Sequence, residues 1–195
     1  MNIDEIKRRE DLPVFLNKNG LTNNGAEIGV RKGVYSVQIL KQWHGELLYS
    51  IDCWDPHKNG KPNKHFPTAI AALSKFKTRS AIIKDYSINA AKKIKNKSLD
   101  FCYIDANHKY EHVKNDLELW WPKVKKGGVF CGHDFSIDEE EWLARRKKKG
   151  LSQKKWPNWS VQKAVNEFCV IKNITIHVDI PRSAEPTSWY TIKNV

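Results

Sequence analysis

Short apolar runs alternate with segments of helical periodicity along most of this chain, and this alternation limits the fold more than any other feature. Runs rich in β-branched and aromatic residues predict seven strands: Ala26–Val30, Leu47–Asp52, Ser80–Lys84, Leu99–Ile104, Gly128–Cys131, Ile174–Val178 and Trp189–Ile192. The segments between them carry apolar residues three or four positions apart, which predicts helices that each bury one face. Repeated βα units of this kind form a mainly parallel sheet with helices packed on it. We therefore expect an α/β fold.

The chain of 195 residues has the length of a single domain, 1–195, and both of its ends depart from the regular alternation. Residues 1–24 are predicted to hold an N-terminal packing helix, with Leu12, Phe15 and Leu16 on its apolar face. Residues 137–158 form a charged stretch after the fifth strand and are predicted to be a lid or an insertion. The loop between the last two strands is too short for a crossover helix, so those strands should run antiparallel.

The chain is strongly basic, with a formal net charge of +12 and a pI near 9.5. Its densest basic block lies within residues 145–155 and allows two interpretations: a solvated loop, or a basic lid over an acidic or phosphorylated substrate. The first residues lack the apolar core of a signal peptide, and no uncharged stretch is long enough to cross a bilayer. We expect a cytoplasmic protein without a membrane partner, and its oligomeric state stays open.

A glycine-containing turn follows the first strand, in the segment Ala26–Gly33. Glycine at positions 29 and 33 lets a ligand approach the backbone, and the next helix offers free N–H groups at its start. Arg31 stands where a dinucleotide-binding fingerprint has its middle glycine. The carboxylate of Glu27 would repel phosphates but would attract a cationic amino group. The turn therefore disfavours a nicotinamide dinucleotide and favours a ligand with an ammonium group.

Acidic residues end the second strand and follow the third. Asp52 stands where an acidic side chain can accept hydrogen bonds from both hydroxyls of an adenosine ribose. Trp54 could lie against the adenine or pack over the edge of the sheet. Asp85 could accept the adenine amino group or help to start the following helix. These positions indicate a site for an adenosine with an unphosphorylated ribose.

One pair of Asp and His residues follows the fourth strand, and a second pair follows the fifth. The first pair is Asp105 and His108, and the second is His133 and Asp134. In open α/β sheets, ligands bind beyond the carboxyl ends of the strands, so both pairs should face one crevice. Two carboxylates and two imidazoles in one crevice form a candidate general-base or metal site.

Taken together, these motifs resemble the class I S-adenosylmethionine-dependent methyltransferases, and most of all methyltransferase family 24. The resemblance runs from about Leu12 to Ile192, with the motifs in the order in which the family has them: Glu27-Ile28-Gly29-Val30 with Gly33 and Ser36, Ile51-Asp52 with Trp54, Tyr103-Ile104-Asp105 with His108 and Tyr110, and Gly127-Gly128 followed by Gly132-His133-Asp134. It implies a Rossmann-like three-layer sandwich. The implied seven-stranded, mostly parallel sheet has the order 3-2-1-4-5-7-6, with strand 7 antiparallel.

The resemblance also implies a role for each motif. Glu27 and Gly29 would lie near the methionine part of S-adenosylmethionine, Asp52 at the ribose, Asp85 near the adenine, and Asp105 close to the transferred methyl group. With their sequence neighbours, the candidate cofactor-binding residues are Glu27, Gly29, Val30, Arg31, Gly33, Asp52, Cys53, Trp54, Asp85, Tyr86 and Asp105.

A divalent cation such as magnesium is a second implied ligand, because related sugar and antibiotic O-methyltransferases hold magnesium with acidic residues after strands 4 and 5. By that likeness Asp105 and Asp134 would be ligands, with His133 or His108 as a further ligand or as the base. The candidate ligand set is Asp105, His133 and Asp134, and the catalytic candidates are Asp105, His108 and His133. The chain has Ala106-Asn107 where the family has a glycine and a small or acidic residue, and His133 where some relatives have a carboxylate. The oxygen-only ligand set that magnesium prefers is then incomplete. His133 and Asp134 could instead brace the loop by hydrogen bonds.

The predicted function is S-adenosylmethionine-dependent O-methylation of a small polar acceptor, either sugar-like or acidic. The charged segment 137–158, with Trp142 and Trp156, and the adjoining Trp159 would cover the substrate or anchor the packing. One alternative is a nucleic-acid methyltransferase, which the basic charge suggests. Against it, the chain has no Asn/Asp-Pro-Pro-aromatic motif and no Pro-Cys nucleophile. A second alternative is a non-catalytic basic α/β module that binds nucleic acid or a protein partner.

Overall fold

The structure is a computed structural model that describes residues 1–56, 61–135, 144, 147–148, 150, 160–180 and 186–194. The helices of the described residues are α1 Leu12–Lys18, α2 Val34–Gln42, α3 His65–Leu73, α4 Ser87–Lys93, α5 Tyr110–Trp120 and α6 Val161–Lys172. The strands are β1 Asn24–Ile28, β2 Leu47–Asp52, β3 Ser80–Lys84, β4 Leu99–Ile104, β5 Val124–Gly132, β6 His177–Val178 and β7 Trp189–Ile192. Short 3₁₀ turns lie at Ile3–Glu5, Arg9–Asp11, Ser74–Arg79 and Trp121–Lys123.

The seven strands form one sheet with the order β3-β2-β1-β4-β5-β7-β6. Strands β1 to β5 run parallel, and β7 runs antiparallel to both β5 and β6. The α/β fold, the strand order and the antiparallel last pair are thereby confirmed. The strand order reverses between β1 and β4, and such a reversal opens a crevice at the carboxyl ends of the strands.

Apolar helix faces cover both sides of the sheet, which makes the fold a three-layer sandwich. Helices α4, α5 and α6 cover one side, where Ala90, Leu117 and Val165 are fully buried. Helices α1, α2 and α3 cover the other side, where Leu16 and Ile39 are fully buried. Each large apolar side chain buried in this way stabilises the fold by about 1.5–3 kcal/mol.

Strand β1 lies two residues before its predicted position, Ala26–Val30. Asn24 already pairs with Leu47 of β2. The chain leaves the extended conformation at Gly29, which has a φ of 96°. The prediction followed the apolar side chains and missed the polar residue that begins the pairing.

Two other strands differ from their predicted lengths. Strand β5 extends beyond the predicted Gly128–Cys131 at both ends and pairs with β4 as far as Gly132. Strand β6 contains His177 and Val178 instead of the predicted Ile174–Val178. As an edge strand it pairs with β7 alone among the described residues, over two residue pairs.

The N-terminal segment, residues 1–24, contains a short packing helix, α1, after two 3₁₀ turns. Helix α1 buries Leu12, Phe15 and Leu16, as predicted. Pro13 lies in its first turn, where a missing N–H group costs no hydrogen bond. The 3₁₀ turn before α1 carries Arg9, whose carbonyl accepts a hydrogen bond from the Tyr35 hydroxyl at 2.9 Å. This bond ties the segment to α2, next to the glycine-containing turn.

The predicted lid at residues 137–158 lies outside the described residues except for four positions in it. Trp142, Trp156 and Trp159 are all outside them. In the part of the chain that is described, no helix has both the length and the apolar character needed to cross a membrane.

Candidate active site

A cavity of about 1280 Å³ opens at the carboxyl ends of β1, β2, β4 and β5. Backbone hydrogen bonds align this edge beyond the strands themselves, because Gly29 N–H donates to the Ile51 carbonyl and Asp105 N–H donates to the Ile28 carbonyl. The predicted site residues that line the cavity are Glu27, Gly29, Val30, Arg31, Asp52, Cys53, Asp85, Tyr86, Asp105, His108, His133 and Asp134. Two of the predicted residues, Gly33 and Trp54, do not line it.

Gly29 allows the turn after β1 to lie directly against the end of β4. A Cβ atom at this position would lie 2.0 Å from the backbone oxygen of Asp105. The φ of 96° at Gly29 also belongs to a region that L residues rarely adopt. Both constraints require glycine, and the close approach brings Glu27 and Asp105 into one wall of the cavity.

The carboxylate of Asp52 holds the glycine-containing turn in place. Its Oδ2 accepts hydrogen bonds from the N–H groups of Val30 at 3.0 Å and Arg31 at 2.7 Å. Its Oδ1 accepts one from the N–H group of Trp54 at 2.9 Å. An ionised carboxylate has about four acceptor positions, so Oδ1 can accept one further hydrogen bond from a ligand. The sequence did not indicate this structural role.

Trp54 packs inside the protein, which corrects its assignment to the cofactor-binding set. Its side chain is 2% exposed, and its ring lies 4.8 Å from that of Phe66. The indole Nε1 donates a hydrogen bond to the Arg31 carbonyl at 2.7 Å. Trp54 therefore supports the turn from the protein side. Gly33 ends the same turn with a φ of 78° and precedes α2.

Glu27 places a buried carboxyl group at the end of β1, with 2% of the residue exposed. Ser36 Oγ donates a hydrogen bond to it, and Ser50 Oγ donates to Ser36 Oγ at 3.2 Å. Burial raises the pKa of Glu27 to about 8, although the Ser36 hydrogen bond and the charge of Arg9 act in the opposite direction. The group is therefore protonated at neutral pH, and a cationic ligand beside it would favour the ionised form.

Asp85 lies at the start of α4, and its contacts agree with a role in starting that helix. Its Oδ1 accepts hydrogen bonds from the Tyr86 N–H and from Asn89 Nδ2, and its Oδ2 lies 2.7 Å from Lys93 Nζ. The hydrogen bonds from Lys93 and Asn89 lower the pKa of Asp85. Both Asp85 and Tyr86 also line the cavity, and the Tyr86 hydroxyl donates to Asp55 Oδ2 at 2.8 Å.

Asp105, His108 and Asp134 form a cluster in which potential ligand atoms lie within 4.8 Å of one another. His108 Nε2 is 2.9 Å from Asp134 Oδ2 and 3.4 Å from Asp105 Oδ1. Although burial opposes it, hydrogen bonds to the two carboxylates raise the pKa of His108 to about 10. Burial also opposes the shift at Asp134, where hydrogen bonds from His108 and His133 hold the pKa well below its usual range. At neutral pH the cluster thus holds an imidazolium between carboxylates.

His133 lies beside this cluster rather than in it, so its role as a ligand stays a prediction, and His108, the alternative, lies within the cluster. Its Nδ1 is 3.5 Å from Asp134 Oδ1, and its Nε2 is 3.5 Å from Arg9 Nη1. Among the described residues, the third member of the cluster is His108. The chain turns at Asp134, whose φ is 58°, and the Asp134 carboxylate lies between the two imidazoles.

Arg9 and Asp116 are two of the cavity-lining residues that were not among the predicted site residues. Asp116 is 6% exposed and accepts a hydrogen bond from Ser87 Oγ. Burial raises the pKa of Asp116 to about 6. A signal for it existed, because Asp116 falls on the apolar face of α5 with Val113 and Trp120. Arg9 had no such signal, since it belongs to no motif and precedes β1.

Solved structures of methyltransferases resemble this fold. An O-methyltransferase from Bacillus cereus in complex with S-adenosylhomocysteine aligns with a TM-score of 0.65 and 15% identity, over 94% of this chain and 80% of that one. A putative caffeoyl-CoA O-methyltransferase from Staphylococcus aureus aligns with a TM-score of 0.66 and 17% identity, over 94% and 82%. TomG from Streptomyces achromogenes, an O-methyltransferase in complex with S-adenosylmethionine, aligns with a TM-score of 0.62 and 11% identity, over 95% and 79%. Because the sequence identities are below 20%, these alignments show a similarity of fold alone.

A family model supplies the sequence relationship. The model, described as a methyltransferase domain (methyltransferase family 24), matches residues 26–135. No curated protein matches the chain in sequence. The matched segment exceeds half of the chain and contains Glu27, Asp52, Asp105 and Asp134. The chain belongs to this methyltransferase family, within the class I fold of S-adenosylmethionine-dependent methyltransferases.

Proposed function

We propose that the protein transfers the methyl group of S-adenosylmethionine to a hydroxyl group of a small polar acceptor. The observation that carries this proposal is that one cavity is lined both by Asp52 and Glu27 and by the Asp105–His108–Asp134 cluster. Several of the structural neighbours are named O-methyltransferases, and these names support an oxygen acceptor. Both a sugar-like acceptor and an acidic acceptor could form hydrogen bonds with the polar side chains that line the cavity.

The cofactor assignment follows the order of the strands. Asp85 follows β3, Asp52 ends β2, Glu27 lies in β1 and Asp105 follows β4. An extended S-adenosylmethionine along this edge has its adenine near Asp85, its ribose at Asp52 and its ammonium group at Glu27. The sulfonium then lies near Asp105, beside the cluster. The buried carboxyl group of Glu27 suits an ammonium group, because the ligand cation compensates for the desolvated negative charge.

The acceptor needs alignment and proton removal. The sulfonium is already a strong electrophile, so the protein must mainly hold the acceptor oxygen in line with the methyl group. A hydroxyl group has a pKa far above 7 and must lose its proton as the new bond forms. We assign proton acceptance to Asp105, because its side chain is 26% exposed while that of Asp134 is 10% exposed and lies against two histidines. His108, protonated at neutral pH, stabilises the negative charge that develops on the acceptor oxygen.

A divalent cation is compatible with the same cluster. Asp105, His108 and Asp134 offer two carboxylates and an imidazole within 4.8 Å. The carboxylates suit manganese as well as magnesium, whereas the imidazole suits iron or zinc better than magnesium. A bound cation would act as a Lewis acid on the acceptor hydroxyl and would require His108 in its neutral form. With a bound cation, Asp105 and Asp134 would still be positioned by the strands that precede them, because Asp105 directly follows β4 and Asp134 lies two residues after β5.

The proposal is tested by following the methyl group. The protein is incubated with carbon-13 methyl-labelled S-adenosylmethionine and separated small-molecule and nucleic-acid fractions of a cell extract. The carbon-13 chemical shift of the product distinguishes O-methyl from N-methyl and C-methyl groups. We expect O-methyl label among small molecules, and a rate about 100-fold lower or more for Asp105→Asn, which keeps the side-chain shape. Label in nucleic acid alone would support the nucleic-acid alternative, and no transfer would support the non-catalytic module.

A further inference from the structure

We propose that Arg9 binds the carboxylate at the methionyl end of S-adenosylmethionine, while Glu27 binds the ammonium group of the same zwitterion. The inference depends on the proposed cofactor site and adds a residue of the N-terminal segment to it. Arg9 precedes the family match at residues 26–135 and belongs to none of the sequence motifs. The N-terminal segment would then be part of the cofactor site as well as a packing element.

The structure holds Arg9 over the beginning of α2. Its guanidinium carbon lies 5.0 Å from the centre of the Tyr35 ring, and its carbonyl accepts the hydrogen bond from the Tyr35 hydroxyl. Tyr35 is the second residue of α2, directly after the glycine-containing turn. On the other side, Arg9 Nη1 lies 3.5 Å from His133 Nε2. The side chain therefore spans the region between the turn after β1 and the end of β5, above the methionyl end of the proposed cofactor.

Within the described part of the chain, no carboxylate lies at hydrogen-bond distance from the Arg9 guanidinium group. Arg9 Nε is buried and has no hydrogen-bond partner among the described residues. The Glu10 carboxylate lies 3.9 Å from it, too far for a hydrogen bond. A guanidinium has five N–H donors and binds a carboxylate through two parallel hydrogen bonds. A buried donor without a partner is unfavourable, so an incoming carboxylate would satisfy a donor that the protein leaves unpaired.

Charge and exposure favour Arg9 over the other cationic side chains of the cavity. The described lysine and arginine residues that line the cavity are Arg9, Arg31 and Lys32. Arg31 and Lys32 are exposed, whereas Arg9 is partly buried. Salt bridges of exposed groups contribute little because water screens them. The charge of Arg9 also reaches Glu27 and lowers its pKa, so Arg9 favours the ionised form of Glu27 that would bind the ammonium group.

Decarboxylated S-adenosylmethionine tests the assignment, because it differs from S-adenosylmethionine only by the missing carboxylate. We expect the wild type to bind S-adenosylmethionine about 10- to 100-fold more tightly than the decarboxylated compound, as measured by calorimetric titration. Arg9→Met should lower the affinity for S-adenosylmethionine by that factor, leave the decarboxylated compound nearly unchanged, and so remove the preference. Arg9→Lys should keep part of it, because lysine retains the charge without the paired donors.

The matched control is Arg8→Met, which makes the same charge change at the neighbouring position. Arg8 does not line the large cavity, so this variant should keep the wild-type preference. The inference is overturned if Arg9→Met keeps the wild-type preference for S-adenosylmethionine over the decarboxylated compound, or if the wild type shows no such preference. Arg9 would then bind an acidic acceptor or serve only to stabilise the fold. If the wild type binds neither S-adenosylmethionine nor S-adenosylhomocysteine, the proposed cofactor site itself fails, and the inference with it. Thermal unfolding of each variant checks that it is folded.

Discussion

The hydroxyl group of Ser36 donates a hydrogen bond to the carboxyl group of Glu27 inside the protein. Ser36 is fully buried, and Glu27 is 2% exposed. Because burial raises the pKa of Glu27 to about 8, the folded protein keeps a proton that the unfolded chain releases near pH 4.5. The protonation state of Glu27 therefore affects two properties: the stability of the fold, and the binding of a cationic ligand beside the carboxyl group.

The first prediction concerns stability and pH. A pKa for Glu27 that is higher in the folded state than in the unfolded state means that its contribution is fully present below pH 4.5 and falls as the pH rises to about 8. Glu27→Gln removes this dependence, and the variant should be more stable than the wild type at pH 9 by a few kcal/mol, since each tenfold change in acidity is worth about 1.4 kcal/mol. Urea unfolding between pH 5 and pH 9 measures the free energy of unfolding of both proteins. The same dependence of that free energy on pH in the wild type and in Glu27→Gln would contradict the prediction.

The second prediction concerns the proton itself. At pH 7 the free protein holds Glu27 protonated, and binding of the cofactor ammonium should release that proton. The heat of S-adenosylhomocysteine binding should then differ between phosphate and Tris buffers, because the two buffers take up the proton with different enthalpies. In Glu27→Gln the difference should vanish. Equal heats in both buffers for the wild type would refute proton release.

The third prediction separates backbone strain from steric contact. Gly29 and Gly20 both have positive φ values, 96° and 67°, but a Cβ would meet Asp105 only at Gly29, and at Gly20 it would meet nothing within 4 Å. Gly20→Ala should cost about 1–2 kcal/mol of unfolding free energy. Gly29→Ala should cost several kcal/mol more and abolish S-adenosylhomocysteine binding. Similar losses in the two variants would show that the contact between the turn and β4 is unimportant.

The fourth prediction distinguishes the two histidines of the site. His108 belongs to the cluster with Asp105 and Asp134, and His133 lies beside it. Binding of Mn²⁺, followed by electron paramagnetic resonance, should weaken about tenfold or more in His108→Ala. His133→Ala should change it little and serves as the control. A stronger effect at His133 would assign the ligand role to His133 instead of His108, and no binding of Mn²⁺ to the wild type would exclude a cation site at this cluster.

The pattern of apolar runs predicted the fold well, because burial on both faces of a parallel strand leaves a clear signal. Leu99–Ile104 is buried at every residue, and the predicted bounds agree with the structure. Strand β1 begins with Asn24, whose place depends on backbone pairing with Leu47, and side-chain patterns do not reveal such pairing. The edge strand β6 is short because it has a single neighbour among the described residues.

The site was predictable where function depends on local sequence, and less so where it depends on tertiary contacts. Glu27 and Asp105 follow from strand ends, and both line the cavity. Trp54 was ambiguous because its direction depends on a hydrogen bond to the Arg31 carbonyl. The sequence left His133 and His108 as alternatives, and only the tertiary structure places the ligand atoms of His108, Asp105 and Asp134 within 4.8 Å of one another.

Every proposal above requires that the cavity at the carboxyl ends of β1, β2 and β4 binds the adenosyl cofactor. Calorimetric titration of the wild type and Asp52→Ala with S-adenosylhomocysteine and with NAD measures this binding. We expect saturable binding of S-adenosylhomocysteine, no binding of NAD, and an affinity about 10- to 100-fold lower in Asp52→Ala, which loses both the ligand contact and the bonds to Val30 and Arg31. A wild type that ignores S-adenosylhomocysteine, or an Asp52→Ala variant that binds it equally well, would contradict this expectation.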